Sequence, residues 1–492
     1  MPTHNTQISY DKPIIELVNY IYNHQLDETD EAIWTAARTA LLDTMACAIS
    51  TAMTSSDAIQ LIAPVVDTAV PDGFPMPGTK LVVDPLAGAF GLGVLIRYLD
   101  YNDALGGVEW GHPSDNIGAI LPLMDWLSRS SASGRRVHKG PPLTMQTLLI
   151  ALVKAYEVQG CYQMQNAFNA YGIDHVVLVK LASAAVVSWL LGLSQEQAMA
   201  TISNVWMDGH PSRVYRSGAN TILRKGWAAG DAARRAVQLA LIVERGQPGS
   251  PEALSAKPWG FWERTFGETG FKFPRPFGSW TVKNILFKVM PVEGHAISAV
   301  EASILNGRRF RQQGLADPLG QIKRIDLRTT AAADLIVNKK GTLHNAADRD
   351  HCIQYVVALA FLKQEQPEAA DFLDKSPWAT SEELKSLREK TVVRADLELT
   401  QDYFNLDKKS IGAGMIVHLV DGSSMPEILI EYPLGHAKHP QTPAAVQKKF
   451  FQIMGQMFLA TEIGRILGAV QKPDMPVSDF VDLFVQRGKA RL

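Results

Sequence analysis

Five stretches of this 492-residue chain gather side chains that can move a proton or hold an anion. The segment RYLDYNDALGGVEWGHPSDN (97–116) sets Asp100, Asp103, Glu109, His112, Ser114 and Asp115 in glycine-rich surroundings. YGIDHVVLVK (171–180) puts Asp174 and His175 ahead of an apolar run, and 214–236 concentrates Arg216, Arg224 and Lys225 before another. Lys288 stands among Phe287, Val289 and Met290, a little ahead of His295, and Arg349, Asp350 and His351 precede a further apolar stretch. An imidazole beside an acid suits proton transfer, because its reference pKa lies near neutrality. A lone ammonium among apolar neighbours is expensive without a partner. Taken singly, these stretches read equally well as polar loops, capping turns, a solvated basic face or inter-domain salt bridges. Together they describe a pocket of cations and imidazoles suited to a small polycarboxylate. Removing a proton next to a carboxylate builds negative charge that Lys and Arg stabilise, while a His or an acid protonates a departing hydroxyl.

The elements that must position these groups are mostly helical. In 30–50, Ile33, Ala37, Leu41 and Met45 recur at four-residue steps. The apolar run 143–161 reads as a helix closing near Gly160, 175–193 as a buried helix, and 230–246 as a helix stopped by glycine. After about Pro274 the texture changes: 324–330 and 392–400 alternate at period two, as strands do. The stretch 415–433 places two β-rich runs around Asp421-Gly422, a hairpin signal, with Pro426 pointing to an edge strand. Helix returns over 448–470. The expected fold is mainly α: a large all-helical domain from 1–275, a smaller α+β lid domain from 276–441, and C-terminal helices, 442–492, returning to the first.

Composition narrows the function. Forty-eight Lys plus Arg against 50 Asp plus Glu, a net charge of −2, remove the simplest argument for nucleic acid or an anionic membrane as partner. No run approaches the ~18 apolar residues that span a bilayer. The N-terminus has neither an apolar signal core nor an Arg-rich transit pattern, so the expected compartment is the cytoplasm. Cys47, Cys161 and Cys352 are widely spaced and form no Cys-x-x-Cys pair, which fits free thiols rather than a disulfide framework, a metal site or an iron–sulfur cluster. GAFGLG (88–93) is not a dinucleotide-binding loop, and there is no Walker A, H-E-x-x-H or G-x-S-x-G motif. No metal or other cofactor is expected.

LLDTMAC, RYLDYND with EWGHPSDN, GIDHVVLVK, RKGWAAGDAARRAV, NAADRDHCIQY and IEYPLGHA, in that order, resemble the MmgE/PrpD family, in its 2-methylcitrate dehydratase branch. The resemblance covers nearly the whole chain; EWGHPSDN and DRDHCIQY are its specific motifs. It implies a helical domain with an α+β lid, usually a homodimer, and metal-independent dehydration of 2-methylcitrate to 2-methyl-cis-aconitate in the methylcitrate cycle of propionate catabolism, with side activity on citrate. It places the family's active-site aspartate on Asp100, its histidines on His112 and His175, and its pocket lysines on Lys225 and Lys288. The mechanism expected on that basis has Lys225, Arg224 and Lys288 holding carboxylates, and His112, oriented by Asp100, sharing proton transfer with His175. Asp103, Ser114 and His295 complete the expected substrate contacts. Ala104 stands where many relatives carry Thr, which removes one hydroxyl contact. Alternatives are cis-aconitate decarboxylase or another lyase or epimerase of the family and, in a different class, a non-catalytic ligand-binding member.

Overall fold

A computed structural model describes residues 9–66, 68–216, 221–267 and 270–485. The ends of the N- and C-terminal units expected from the sequence, 1–8 and 486–492, lie outside the described residues. The chain is mainly helical. Helix α1 (Glu31–Thr54) starts at Asp30, whose carboxylate accepts from the Ala32 amide, as helix N-caps do. Helix α2 (Pro85–Arg97) is capped by Asp84, which accepts from Leu86 and Ala87, with Pro85 in the first turn where its missing N–H is harmless. Then come α3 (Ile117–Ala132), α4 (Met145–Gln165), α5 (Val176–Leu190) and α6 (Ala228–Glu244).

The glycines of 88–93 serve helix packing. Helix α2 packs on α3 and α6, and a Cβ on Gly93 would fall 2.5 Å from the Gly230 Cα. Only a missing side chain permits that approach. Gly93→Ala is therefore expected to destabilise the protein by about 1–3 kcal/mol through overpacking, seen as a lower Tm. Gly160 has a similar role and does not end its helix: α4 continues to Gln165, and a Cβ at 160 would collide with Thr281.

A second apolar core forms around α7 (Ile297–Gln312), α8 (Ile353–Lys363) and a four-stranded sheet. Its strands are β1 (Ile322–Thr329), β2 (Thr391–Ala395), β3 (Ala413–Leu419) and β4 (Ile428–Ile430), in the order β2-β1-β3-β4. β1 runs parallel to β2 and antiparallel to β3, which pairs antiparallel with β4. Pro426 stands two residues before β4, an edge strand that tolerates the lost donor. The alternating run 392–400 is strand only as far as Ala395: Asp396 then caps a helix over Leu397–Phe404. Local capping chemistry overrides the period-two pattern there.

Helix over 448–470 is likewise two helices, α9 (Thr442–Met454) and α10 (Ala460–Ala469). Their apolar faces, including Val446, Phe450, Ile453, Ile463 and Ile466, belong to the core built by α1–α6, so the C-terminal segment packs on the N-terminal helices. Ala104 and Leu286, both in the second core, exchange backbone hydrogen bonds, each 2.8 Å. That contact sets the segment after α2 beside the chain leading to Lys288.

Candidate active site

The centre of the site is Asp100. It lies three residues beyond the end of α2, with a backbone φ of 54°, a left-handed conformation that Asp tolerates better than most residues. Three cations converge on its carboxylate. Arg97 donates at 2.5 Å, Lys288 donates to the same oxygen and to the Asp100 carbonyl, and Lys225 lies 3.3 Å from the other oxygen. Burial opposes the charge, but Arg97, Lys288 and Lys225 outweigh it and hold the Asp100 carboxyl well below the usual range.

Lys225 comes from a short turn just ahead of α6 and bridges to a second acid. Its ammonium is 2.8 Å from Asp350, whose carboxylate accepts from His351 Nδ1. Asp100, Asp350 and His351 are close enough together to share a cation, and among the described residues they form the only such cluster. The Lys225 ammonium lies within hydrogen-bonding range of all three, so a positive charge already fills that position. Desolvation, then Lys225, pushes the His351 pKa down.

His112 sits just before the helical turn Pro113–Asn116. Its Nδ1 is 2.6 Å from the Asp103 carbonyl, which can only accept, and its Nε2 is 2.9 Å from Arg97, which can only donate. The proton is thereby assigned to Nδ1, and Nε2 presents a lone pair. Burial, Arg97 and Lys288 push the His112 pKa well below its ordinary value, so the ring is neutral. Its orientation comes from Arg97 and the Asp103 main chain, not from a direct bond to the Asp100 carboxylate. Asp100 acts at one remove, by holding Arg97.

His175 stands at the N-terminus of α5, its ring centroid 5.6 Å from that of His112. Asp174 caps the helix through the Val176 amide and pairs with Arg216 at 2.7 Å. His175 Nδ1 lies 3.5 Å from Arg213 and 3.6 Å from Asp174, whereas Nε2 is buried without a partner. Desolvation depresses the His175 pKa, with Asp174 opposing and Arg216 and Arg213 assisting.

The MmgE/PrpD N-terminal domain model matches residues 15–274, and the MmgE/PrpD C-terminal domain model matches 290–472. The chain belongs to the MmgE/PrpD family. An alkylcitrate dehydratase from a fungal species is 57% identical over 98% of this chain and 95% of its own length. An alkylcitrate dehydratase of Talaromyces stipitatus is 50% identical over 99% of both. A mitochondrial 2-methylcitrate dehydratase of Yarrowia lipolytica is 40% identical over 99% of this chain and 92% of its own.

In this MmgE/PrpD chain Asp100, His112, His175, Lys225 and Lys288 are therefore brought together, joined by Arg97, Asp350 and His351. No role for Arg97 came from the sequence, although it heads the motif RYLDYND, and Asp350 and His351 read as capping and salt-bridging residues. DRDH, a specific family motif, was the available signal. Arg224 lies elsewhere: its guanidinium stacks over Trp227 at 4.1 Å and Tyr215 at 5.4 Å. The arginines near the imidazoles are Arg97, Arg213 and Arg216. Asp103 accepts from the Ser114 hydroxyl and amide and from Tyr156, so Asp103 and Ser114 hold each other and brace the His112 loop. His295 pairs with Glu293 and lies against the Trp110 ring, 4.0 Å between centroids and tilted by 41°. Ala104 is fully buried in the second core. No helix among the described residues is long and apolar enough to cross a membrane.

Glu109 adds a pH dependence. Its side chain is fully buried, accepting from the Asn169 amide, with Oε1 3.6 Å from Arg213. Desolvation outweighs Arg213 and pushes its pKa up to about 8. Between the unfolded value near 4.3 and about 8, the unfolded chain has released this proton while the folded chain retains it, so Glu109 lowers stability as pH rises. Glu109→Gln removes that contribution. Its Tm relative to the unsubstituted protein is expected to rise progressively from pH 5 to pH 8 in thermal melts. An unchanged difference would show that Glu109 is ionised throughout.

Proposed function

We propose that this chain is a hydro-lyase that eliminates water from a 2-alkylcitrate, with 2-methylcitrate to 2-methyl-cis-aconitate as the simplest case. The observation that carries the reading is the buried cluster in which Arg97, Lys225 and Lys288 share Asp100 beside a neutral His112. Three cations against the carboxylates of Asp100 and Asp350 leave positive charge available for a tricarboxylate. The full-length relatives named alkylcitrate and 2-methylcitrate dehydratase support the same chemistry.

In this reading the substrate's carboxylates take over contacts that Asp100 and Asp350 make with the two lysines and Arg97. As Arg97 turns from His112 onto a substrate carboxylate it frees the Nε2 lone pair, through which His112 removes the proton next to a carboxylate, and Nδ1–H stays on the Asp103 carbonyl. The negative charge that develops is stabilised by the surrounding cations, which need no reorganisation in a water-excluded site. His175, whose Nε2 has no protein partner, helps return that proton to the departing hydroxyl, so water leaves and both imidazoles end neutral. Lys225 already fills the position between Asp100, Asp350 and His351, so the reaction proceeds without a metal there. Asp100, His112 and Lys288 are each at most 1% exposed. The second domain must therefore move to admit substrate and close again to exclude water. A homodimer is part of the proposal, on the family resemblance.

The substituent on C2 is where two readings divide. The relatives at 57% and 50% are named for alkylcitrate and the Yarrowia relative for 2-methylcitrate, which favours a substituent longer than methyl. The test follows the ultraviolet absorbance of the conjugated product from citrate, 2-methylcitrate and 2-alkylcitrates of increasing chain length, with a chelator present. Turnover that survives the chelator, with kcat/KM rising with chain length, is the expected result. Release of carbon dioxide from cis-aconitate without dehydration would assign the chain to the decarboxylase class, and no turnover of any of these acids would leave a binding protein.

A further inference from the structure

Outside the cluster already described, one buried cation touches the site through the main chain alone. Lys449, on α9, is 3% exposed. Its ammonium donates to the carbonyl of Tyr101 and to the carbonyl of Lys288, each at 2.8 Å, and lies 2.8 Å from the Asp43 carboxylate of α1. The Tyr101 ring lies under it, 3.9 Å to the centroid, and Cys47 Sγ is 3.3 Å away. The Cys47 thiol in turn donates to the same Tyr101 carbonyl. Burial pushes that thiol up to about 12, so it remains a donor.

An ammonium has three hydrogens, and here two carbonyls and the Cys47 sulfur use them, with the Asp43 carboxylate alongside as the ionic partner. None is left for a ligand, which excludes a direct catalytic part. The identity of the carbonyls matters more. One belongs to the residue after Asp100, whose left-handed backbone must be held by its surroundings. The other belongs to Lys288 itself, the residue whose ammonium meets the Asp100 carboxylate. One charge on α9 thus ties together the two chain segments that form the central ion pair.

We infer that Lys449 is a positioning residue: it fixes the main chain at Tyr101 and Lys288 so that the Asp100 carboxylate and the Lys288 ammonium meet in register for the reaction. The inference rests on the dehydratase reading, so turnover by the unsubstituted protein is measured first; its absence overturns that reading and this inference with it.

Given turnover, two variants separate positioning from simple anchoring. Lys449→Met alone would strand the buried Asp43 charge, so it is combined with Asp43→Asn. The double variant is expected to fold, with a near-unchanged far-ultraviolet spectrum, and to lose on the order of 10²-fold in kcat, the scale expected of a small misplacement of reacting groups. Its KM should move only about threefold, because carboxylate binding is largely retained. Asp43→Asn alone keeps both carbonyl bonds and should hold kcat within about threefold of the unsubstituted protein. A folded double variant with full kcat overturns the inference. So does a loss in Asp43→Asn as large as that of the double variant, since the ion pair and not the carbonyl bonds would then be responsible. If the double variant does not fold, Asp43→Asn decides: a kcat loss on the order of 10²-fold overturns the inference, and retained kcat supports it.

Discussion

His112→Gln is expected to lower kcat on the order of 10²–10⁴-fold, the usual contribution of a general acid or base, with little change in Tm. Glutamine is chosen because it reproduces both hydrogen bonds of the ring. Its amide N–H can donate to the Asp103 carbonyl and its carbonyl can accept from Arg97, the partners that His112 has at 2.6 and 2.9 Å. What it cannot do is take a proton. Steady-state rates on the alkylcitrate turned over by the unsubstituted protein, with thermal melts on the same samples, check both parts. Full turnover in a folded His112→Gln protein would remove His112 from the mechanism. His112→Ala is the poorer test, because it leaves Arg97 buried without that acceptor and mixes stability with chemistry.

Asp100→Asn carries the other large effect, and it acts on stability as well as rate. The carboxylate offsets Arg97, Lys225 and Lys288 in a region where none of the four residues is more than 3% exposed. Neutralising it leaves three buried cations facing the Asp350 carboxylate. Removing one partner of a buried ion pair typically costs about 3–5 kcal/mol, because the remaining charge is stranded. A drop in stability of that order is expected, read from chemical unfolding. Adding Lys288→Met to Asp100→Asn removes one stranded cation, so the double variant should be more stable than Asp100→Asn alone. Equal stabilities would mean that the Lys288 charge is not stranded when Asp100 is neutral. Activity should be lost in both, since Asp100 holds Arg97 and Arg97 in turn presents His112.

Much of the helical frame was legible because its signals are local. The helix expected from Asp30 starts with that residue accepting from the amide two residues on, and the apolar periodicity of the buried helices follows from a core on one side. The strand at 322–329 and the hairpin around Asp421-Gly422 are local patterns too. Misreadings occurred where a distant contact or an unread cap decided. Gly160 resembles a helix stop, yet its missing side chain makes room for Thr281. The run 392–400 alternates like a strand throughout, but Asp396 turns its second half into helix.

For the site, residue types and motif resemblance picked out Asp100, His112, His175, Lys225 and Lys288, because carboxylate, imidazole and ammonium groups in apolar sequence need a reason to be there. Sequence alone thus determined a mainly helical protein carrying cations and imidazoles of the kind a polycarboxylate needs, with the family motifs in order. It could not tell that Arg224 turns away while Arg216 and Lys225 face inward. That depends on the geometry of the turn before α6, which sends Lys225 to Asp100 and Arg224 onto two aromatic rings. Nor could it assign the His112 proton, which follows from an acceptor nine residues back and a donor at the end of α2. Tertiary structure alone brought Asp350, His351 and the carbonyls bound by Lys449 to the same centre. Side-chain chemistry is written residue by residue, but the charge a buried group carries, and the atom it presents, are set by neighbours that chain folding brings from hundreds of residues away.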